Sequence, residues 1–161
     1  MNRNPSRGFT LVELLIVIAI IGIIAAMASF AWQKYVRNTN LRTAARELVS
    51  DFALMKAKAA SASQTGQETT YTIVFNTAGN SYTMNATSAD GTVSSQTKSF
   101  ASFGRGVALK SISFGGGDTI TFEARGTLNP TMGNLVLENA PSEATITFTI
   151  TGKTHVKFNM S

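Results

Sequence analysis

Eighteen consecutive residues, Leu14 to Ala31, carry no charged side chain, and a single carboxylate, Glu13, stands at the head of the run. That juxtaposition constrains the chain more than any other feature. A helix of this length and composition is long enough to cross a bilayer, which takes about 17–25 residues. A carboxylate in hydrocarbon costs about 2.5–3.5 kcal/mol on insertion scales. Glu13 therefore calls for a cationic partner, and the run itself offers no lysine or arginine. Ahead of it lies a short leader with Arg3 and Arg7, which ends in Gly8 before Phe9 and Thr10.

The order Arg7-Gly8-Phe9-Thr10-Leu11-Val12-Glu13 before an apolar run resembles the class III signal of type IV prepilins and type II secretion pseudopilins, over residues 3 to about 31. The resemblance implies that a prepilin peptidase cuts between Gly8 and Phe9 and N-methylates the new terminus. It also implies that Glu13 pairs with the Phe9 ammonium of a neighbouring subunit in a helical filament. The physics agrees, because removing residues 1–8 creates the missing cation at the membrane edge. A secretory signal has a shorter apolar core of about 7–15 residues and a cleavage site behind it. A generic single-pass anchor explains the length and the basic leader but leaves Glu13 unexplained.

Removal of the leader leaves 161 minus 8, or 153 residues, enough for one helix and one compact domain. Fourteen basic against nine acidic residues give +5, and loss of Arg3 and Arg7 lowers this to +3. So mild a bias permits an anionic partner without demanding one. Arg3 and Arg7 keep the leader cytoplasmic under the positive-inside rule. The expected location is thus the bacterial inner membrane, single-pass, with the C-terminal domain in the periplasm before passage into a pilus or pseudopilus. No cysteine is present, so the domain has neither a disulfide nor a thiolate metal site. Many major pilins close their C-terminal region with a disulfide, and this chain departs from them.

Past the apolar run, Leu41, Ala45, Leu48, Phe52, Met55 and Ala59 recur at spacings of four and three, a stripe on one helical face. One continuous helix from about residue 10 to 62 follows, roughly 80 Å long. Gly22 is its only interior glycine. From Thr69 the period changes to two. Ile73 and Phe75 alternate with threonine and valine, Ala78-Gly79-Asn80 turns, and residues 81–87 return. The phase change from Val107 and Leu109 to Ile112 and Phe114 predicts a bulge. Ile120 and Phe122, then Ile146, Phe148 and Ile150, then Val156, Phe158 and Met160 mark later strands. The sequence thus predicts an α+β fold of the type IV pilin kind: one long N-terminal helix, hydrophobic in its first half, packed on a C-terminal pair or sandwich of antiparallel sheets with seven or eight strands. Its segments are a leader over 1–8, a membrane or filament-core half-helix over 9–31, an amphipathic half over 32–65 and a β-rich domain over 66–161.

Little in the chain can carry a reaction. His155 is the only histidine, which excludes a two-histidine metal site within one chain. Glu123, Glu138 and Glu143 lack the spacing of an acid–base pair. The Gly115-Gly116-Gly117 loop is not followed by the Gly-Lys-Ser/Thr of a phosphate loop. Neither an enzyme nor a cofactor-binding protein is expected.

Two segments do resemble known subunits. Ile120 to Leu128, with Arg125-Gly126-Thr127, then Gly133 and a short apolar strand, is similar to the globular domain of the FimT/GspH family of minor pilins and pseudopilins. Some FimT-type members contact DNA through a Gly-Arg-x-Arg motif near the C-terminus. Here Gly152 is followed by Lys153 and His155, with Lys157 beyond. The three alternate, so they share one face of a strand, where they reach a phosphate backbone or simply keep an edge strand solvated. Lysine lacks the arginine fork and histidine is mostly neutral at pH 7, which weighs against a strict match. The expected function is a minor pilin or pseudopilin whose partners are prepilin peptidase, other pilin subunits and the inner membrane. A DNA-binding minor pilin for natural transformation and a major structural pilin are the alternatives.

Overall fold

A computed structural model describes residues 9–161 apart from 65, 67, 68, 116, 124 and 131. One helix, α1, runs from Leu11 to Gln64 without interruption. The chain divides into two units at Val36/Arg37, in the middle of this helix. The first unit is α1 up to Val36. Its large apolar side chains from Phe9 to Tyr35 are all exposed, from 42% at Val17 to 80% at Leu11, and only Val36 at its end is partly buried. By length and composition it contains a stretch apolar enough to cross a membrane, none of it buried.

The second unit is built on the amphipathic half of α1. All six stripe residues named above are buried, and Ala44, Asp51 and Ala62 widen the buried face. Among the described residues nine strands follow: β1 (Thr70–Asn76), β2 (Ser81–Thr87), β3 (Val93–Ser99), β4 (Ala108–Phe114), β5 (Thr119–Phe122), β6 (Leu128–Asn129), β7 (Gly133–Asn139), β8 (Ser142–Phe148) and β9 (Thr154–Asn159). They form two antiparallel sheets, ordered β3-β2-β1-β5-β6 and β4-β7-β8-β9. The predicted bulge is present, with the β4–β7 register shifting between Leu109 and Ser111.

Phe52 ties the three layers together. Its ring meets Phe122 of the first sheet at 4.8 Å and Phe148 of the second at 4.4 Å. Phe148 continues through Phe114 and Phe75 to Tyr82 and Phe100. Buried polar groups at the upper end are satisfied: Ser142 Oγ donates to Asn38 Oδ1 at 2.7 Å, and Asn139 Nδ2 to the Arg105 carbonyl at 3.1 Å. Asn80, at φ 47°, serves both sheets by accepting from Leu109 N at 2.8 Å and donating to the Val107 carbonyl at 3.0 Å.

Three details differ from the sequence reading. There are nine strands among the described residues rather than seven or eight, because β3 and β6 were not foreseen. Ile150 continues the β8 alternation in sequence but lies beyond the strand, in the turn before β9, and is 49% exposed. Met160 likewise falls past the end of β9.

Candidate functional site

Two surfaces hold the residues singled out by sequence, one in each unit. Gly8 and the leader lie outside the described residues. At the head of α1, Thr10 precedes the first helical residue, and its Oγ1 accepts the Glu13 backbone N–H at 3.3 Å while its carbonyl accepts Leu14 N–H at 3.2 Å. Thr10-x-x-Glu13 is the spacing of a capping box, in which threonine caps the third helical N–H. The acidic side chain in the first turn also favours the positive end of the helix dipole. No ion pair engages the Glu13 carboxylate among the described residues, and the side chain is exposed. The cap was readable from the sequence, as Thr and Glu three apart before an apolar run, but it was hidden behind the stronger signal of the cleavage motif.

The second surface is the free edge of β9. Lys153, His155 and Lys157 are all exposed and face the same way, while Thr154, Val156 and Phe158 turn partly inward. His155 pairs in register with Thr147 and Lys157 with Thr145, so hydroxyls rather than carboxylates flank both. Neither Lys153 nor Lys157 has an acidic partner within ion-pair distance among the described residues. Lys110 on β4 does not join this surface. It pairs with Glu143 and, at 3.5 Å, with Glu138.

The two turns that resembled a family pattern abut in space, which sequence could not foresee. Gly126 and Gly152 both have positive φ, 74° and 67°. A Cβ on Gly152 would lie 3.0 Å from the Gly126 carbonyl oxygen, and a Cβ on either would press on the Lys56 side chain. Lys56 threads between them and donates to the Thr151 carbonyl at 2.7 Å. Leu128 N–H donates to the Ile150 carbonyl at 3.1 Å, closing the seam. The left-handed backbone favours glycine at both turns, and at Gly152 the close approach of the Gly126 carbonyl adds a second reason. The seam carries Arg125 and Lys153 on neighbouring turns beside Lys56, so the cations of the β9 edge are not isolated.

A third polar cluster is internal. Tyr82, wholly buried, donates its hydroxyl to Asp51 Oδ2 at 2.5 Å. Lys98 from β3 reaches Asp51 Oδ2 and Glu47 Oε1, each at 2.8 Å. Burial, then the bond to Asp51, drives the Tyr82 phenol well above the ordinary tyrosine range. Partial burial opposes the charge on Lys98, but its bonds to Asp51 and Glu47 outweigh this and hold its pKa above the usual lysine value. The cluster clamps α1 to β2 and the edge strand β3. Among the described residues no three His, Cys, Asp or Glu side chains group as metal ligands.

Comparison with known proteins adds three findings. Residues 3–29 match the family model of the prokaryotic N-terminal methylation motif. Fimbrial protein Q of Moraxella bovis is 31% identical over 163 aligned residues, covering 92% of this chain and 88% of that protein. Two solved structures share the fold at low identity: the minor pseudopilin EpsH from the type 2 secretion system of Vibrio cholerae (12% identical, 73% of this chain and 96% of that one, TM-score 0.57) and the type IV minor pilin FimU of Pseudomonas aeruginosa (16%, 76% and 92%, TM-score 0.56).

Proposed function

From the membership of this chain in the type IV pilin superfamily, we propose that it is a minor pilin or pseudopilin that works mechanically, as a subunit of a helical filament. Prepilin peptidase removes residues 1–8 and methylates Phe9. The apolar helix then waits in the inner membrane with the β-rich unit in the periplasm. Extraction into the filament places Glu13 beside the Phe9 amine of a neighbour. The observation that carries the reading is the head of α1, where Glu13 places an unpartnered carboxylate in the first turn of an apolar helix that nothing among the described residues of its own unit covers. Buried and unpaired, that charge would penalise every wrong axial register. The fold shared with a minor pseudopilin and a minor pilin, and the absence of cysteine, favour a minor role over a major one.

The test is the mature mass. Expressed beside an active prepilin peptidase, the chain should shorten by the eight leader residues, 161 to 153, and begin with N-methylated Phe9. A chain that retains its leader while a control prepilin is cut overturns the proposal.

A second reading has one specific observation in its favour, the cations of the β9 edge, without acidic partners among the described residues, beside the Arg125 turn and Lys56 of α1. Under it the subunit takes up double-stranded DNA. Phosphate contacts weaken steeply with salt, by a slope of about 0.9 per neutralised phosphate on logarithmic axes. Duplex titrated at low and physiological salt should bind with that dependence, and Lys153→Ala/Lys157→Ala should lower the slope by about 2. Absence of binding at low salt assigns the lysines to solvation of an edge strand.

A further inference from the structure

The apolar run ends abruptly in Trp32-Gln33-Lys34-Tyr35. Trp32 and Tyr35 lie three apart on one side of α1, 68% and 63% exposed, with ring centroids 6.0 Å apart. Neither the indole N–H nor the phenol hydroxyl has a hydrogen-bond partner among the described residues. A bare aromatic pair of this kind suits neither water nor hydrocarbon. Its ring faces favour an apolar medium, and its polar edges need one that is wet.

We infer that Trp32 and Tyr35, with Lys34 between them, form an interfacial anchor that sits among the lipid headgroups on the periplasmic face of the inner membrane and sets the depth of the subunit before assembly. This rests on the membrane-stage reading above. The spacing supports it. From Glu13 to Trp32 is nineteen residues, about 28 Å of helix, against a hydrocarbon thickness of about 30 Å. Glu13 and the aromatic pair therefore reach opposite borders together. Tryptophan and tyrosine concentrate at such borders, and the Lys34 ammonium can extend from its stem to phosphate. No other position between Leu11 and Val36 offers an aromatic ring with a polar edge. Fixing both ends leaves no room to slide by a turn, so the Glu13 carboxylate is presented at one defined level to an incoming neighbour.

Trp32 is the only tryptophan, so its fluorescence reports depth without labelling. The full chain is reconstituted into phosphatidylcholine–phosphatidylglycerol vesicles and floated. Lipids brominated near the headgroup or near the chain end are then used as quenchers. Shallow bromine should quench about twofold more than deep bromine, as an interfacial indole requires. The reference Ile24→Trp/Trp32→Leu should show the reverse order. Stronger quenching of Trp32 by deep bromine, or none by either while an aqueous quencher reaches it freely, overturns the anchor. Failure to float with the vesicles instead overturns the membrane-stage reading, and the anchor with it, so the two failures are distinguishable.

Discussion

Glu13→Ala is expected to leave the subunit in the membrane and to remove it almost completely from sheared filaments. The backbone explains why the two effects separate. The cap at the head of α1 uses the Glu13 N–H, which alanine retains, so the Thr10 Oγ1 bond at 3.3 Å survives the substitution. Insertion should even improve, since a carboxylate at the membrane edge is a cost. What disappears, under the proposed function, is the partner for the amine of the next subunit. A buried cation left unpaired costs about 3–5 kcal/mol, which weakens each subunit contact by about two to four orders of magnitude. Glu13→Gln should behave the same way, because it keeps the size and loses the charge. Thr10→Val serves as the opposite control, losing a cap worth about 1 kcal/mol but keeping the charge and assembling normally. The measurement compares membrane and sheared-filament fractions by immunoblot. Normal recovery of Glu13→Ala in filaments would falsify the register argument.

How far the sequence foretold these features follows from what each one depends on. The helix stripe from Leu41 to Ala59 was legible because burial at a period of 3.6 leaves a repeating pattern, and all six positions are buried. The bulge in β4 was legible for the same reason, as a break in a period of two. β3 was not, because Val93-Ser94-Ser95-Gln96-Thr97-Lys98-Ser99 is an edge strand whose outward positions are nearly all exposed, and such a strand has no apolar alternation to display. Its place is fixed instead by pairing with β2 and by Lys98 reaching Asp51, a contact across 47 residues. Asp51 adjoins the apolar stripe of α1 without belonging to it, and a carboxylate gives no periodic sign of burial, yet it is only 6% exposed. The β9 cations were placed correctly on one face. Their nearness to Arg125 was beyond reach, because it depends on two glycine turns meeting around Lys56. Local period reveals faces, whereas long-range polar contacts show only as exceptions to it.

Asp51→Ala should therefore be the most damaging polar substitution in the β-rich unit. It strips the Tyr82 hydroxyl of its acceptor inside the core and leaves Lys98 with Glu47 alone. Leaving the buried Tyr82 hydroxyl without its acceptor costs about 1–3 kcal/mol, to which the loss of the Lys98 contact adds, whereas Tyr82→Phe removes only one hydrogen bond, about 1 kcal/mol. The same cluster gives stability a pH dependence of definite sign. Tyr82 has a folded pKa raised above its unfolded value near 10, so above that pH the unfolded chain sheds a proton that the folded one keeps. Lys98, also raised, stabilises below its unfolded value and stops doing so as pH climbs through its folded one. Both act in the same direction, and stability should fall above about pH 10 with a slope of up to about 1.4 kcal/mol per pH unit for each linked proton. Denaturant unfolding of the full chain in detergent, followed by near-ultraviolet circular dichroism from neutral to alkaline pH, measures it. Tyr82→Phe should flatten the alkaline slope by one proton although it starts less stable. An unchanged slope in that variant would mean that the phenol is not the linked group and that the clamp between α1 and β3 draws its pH dependence from Lys98 alone.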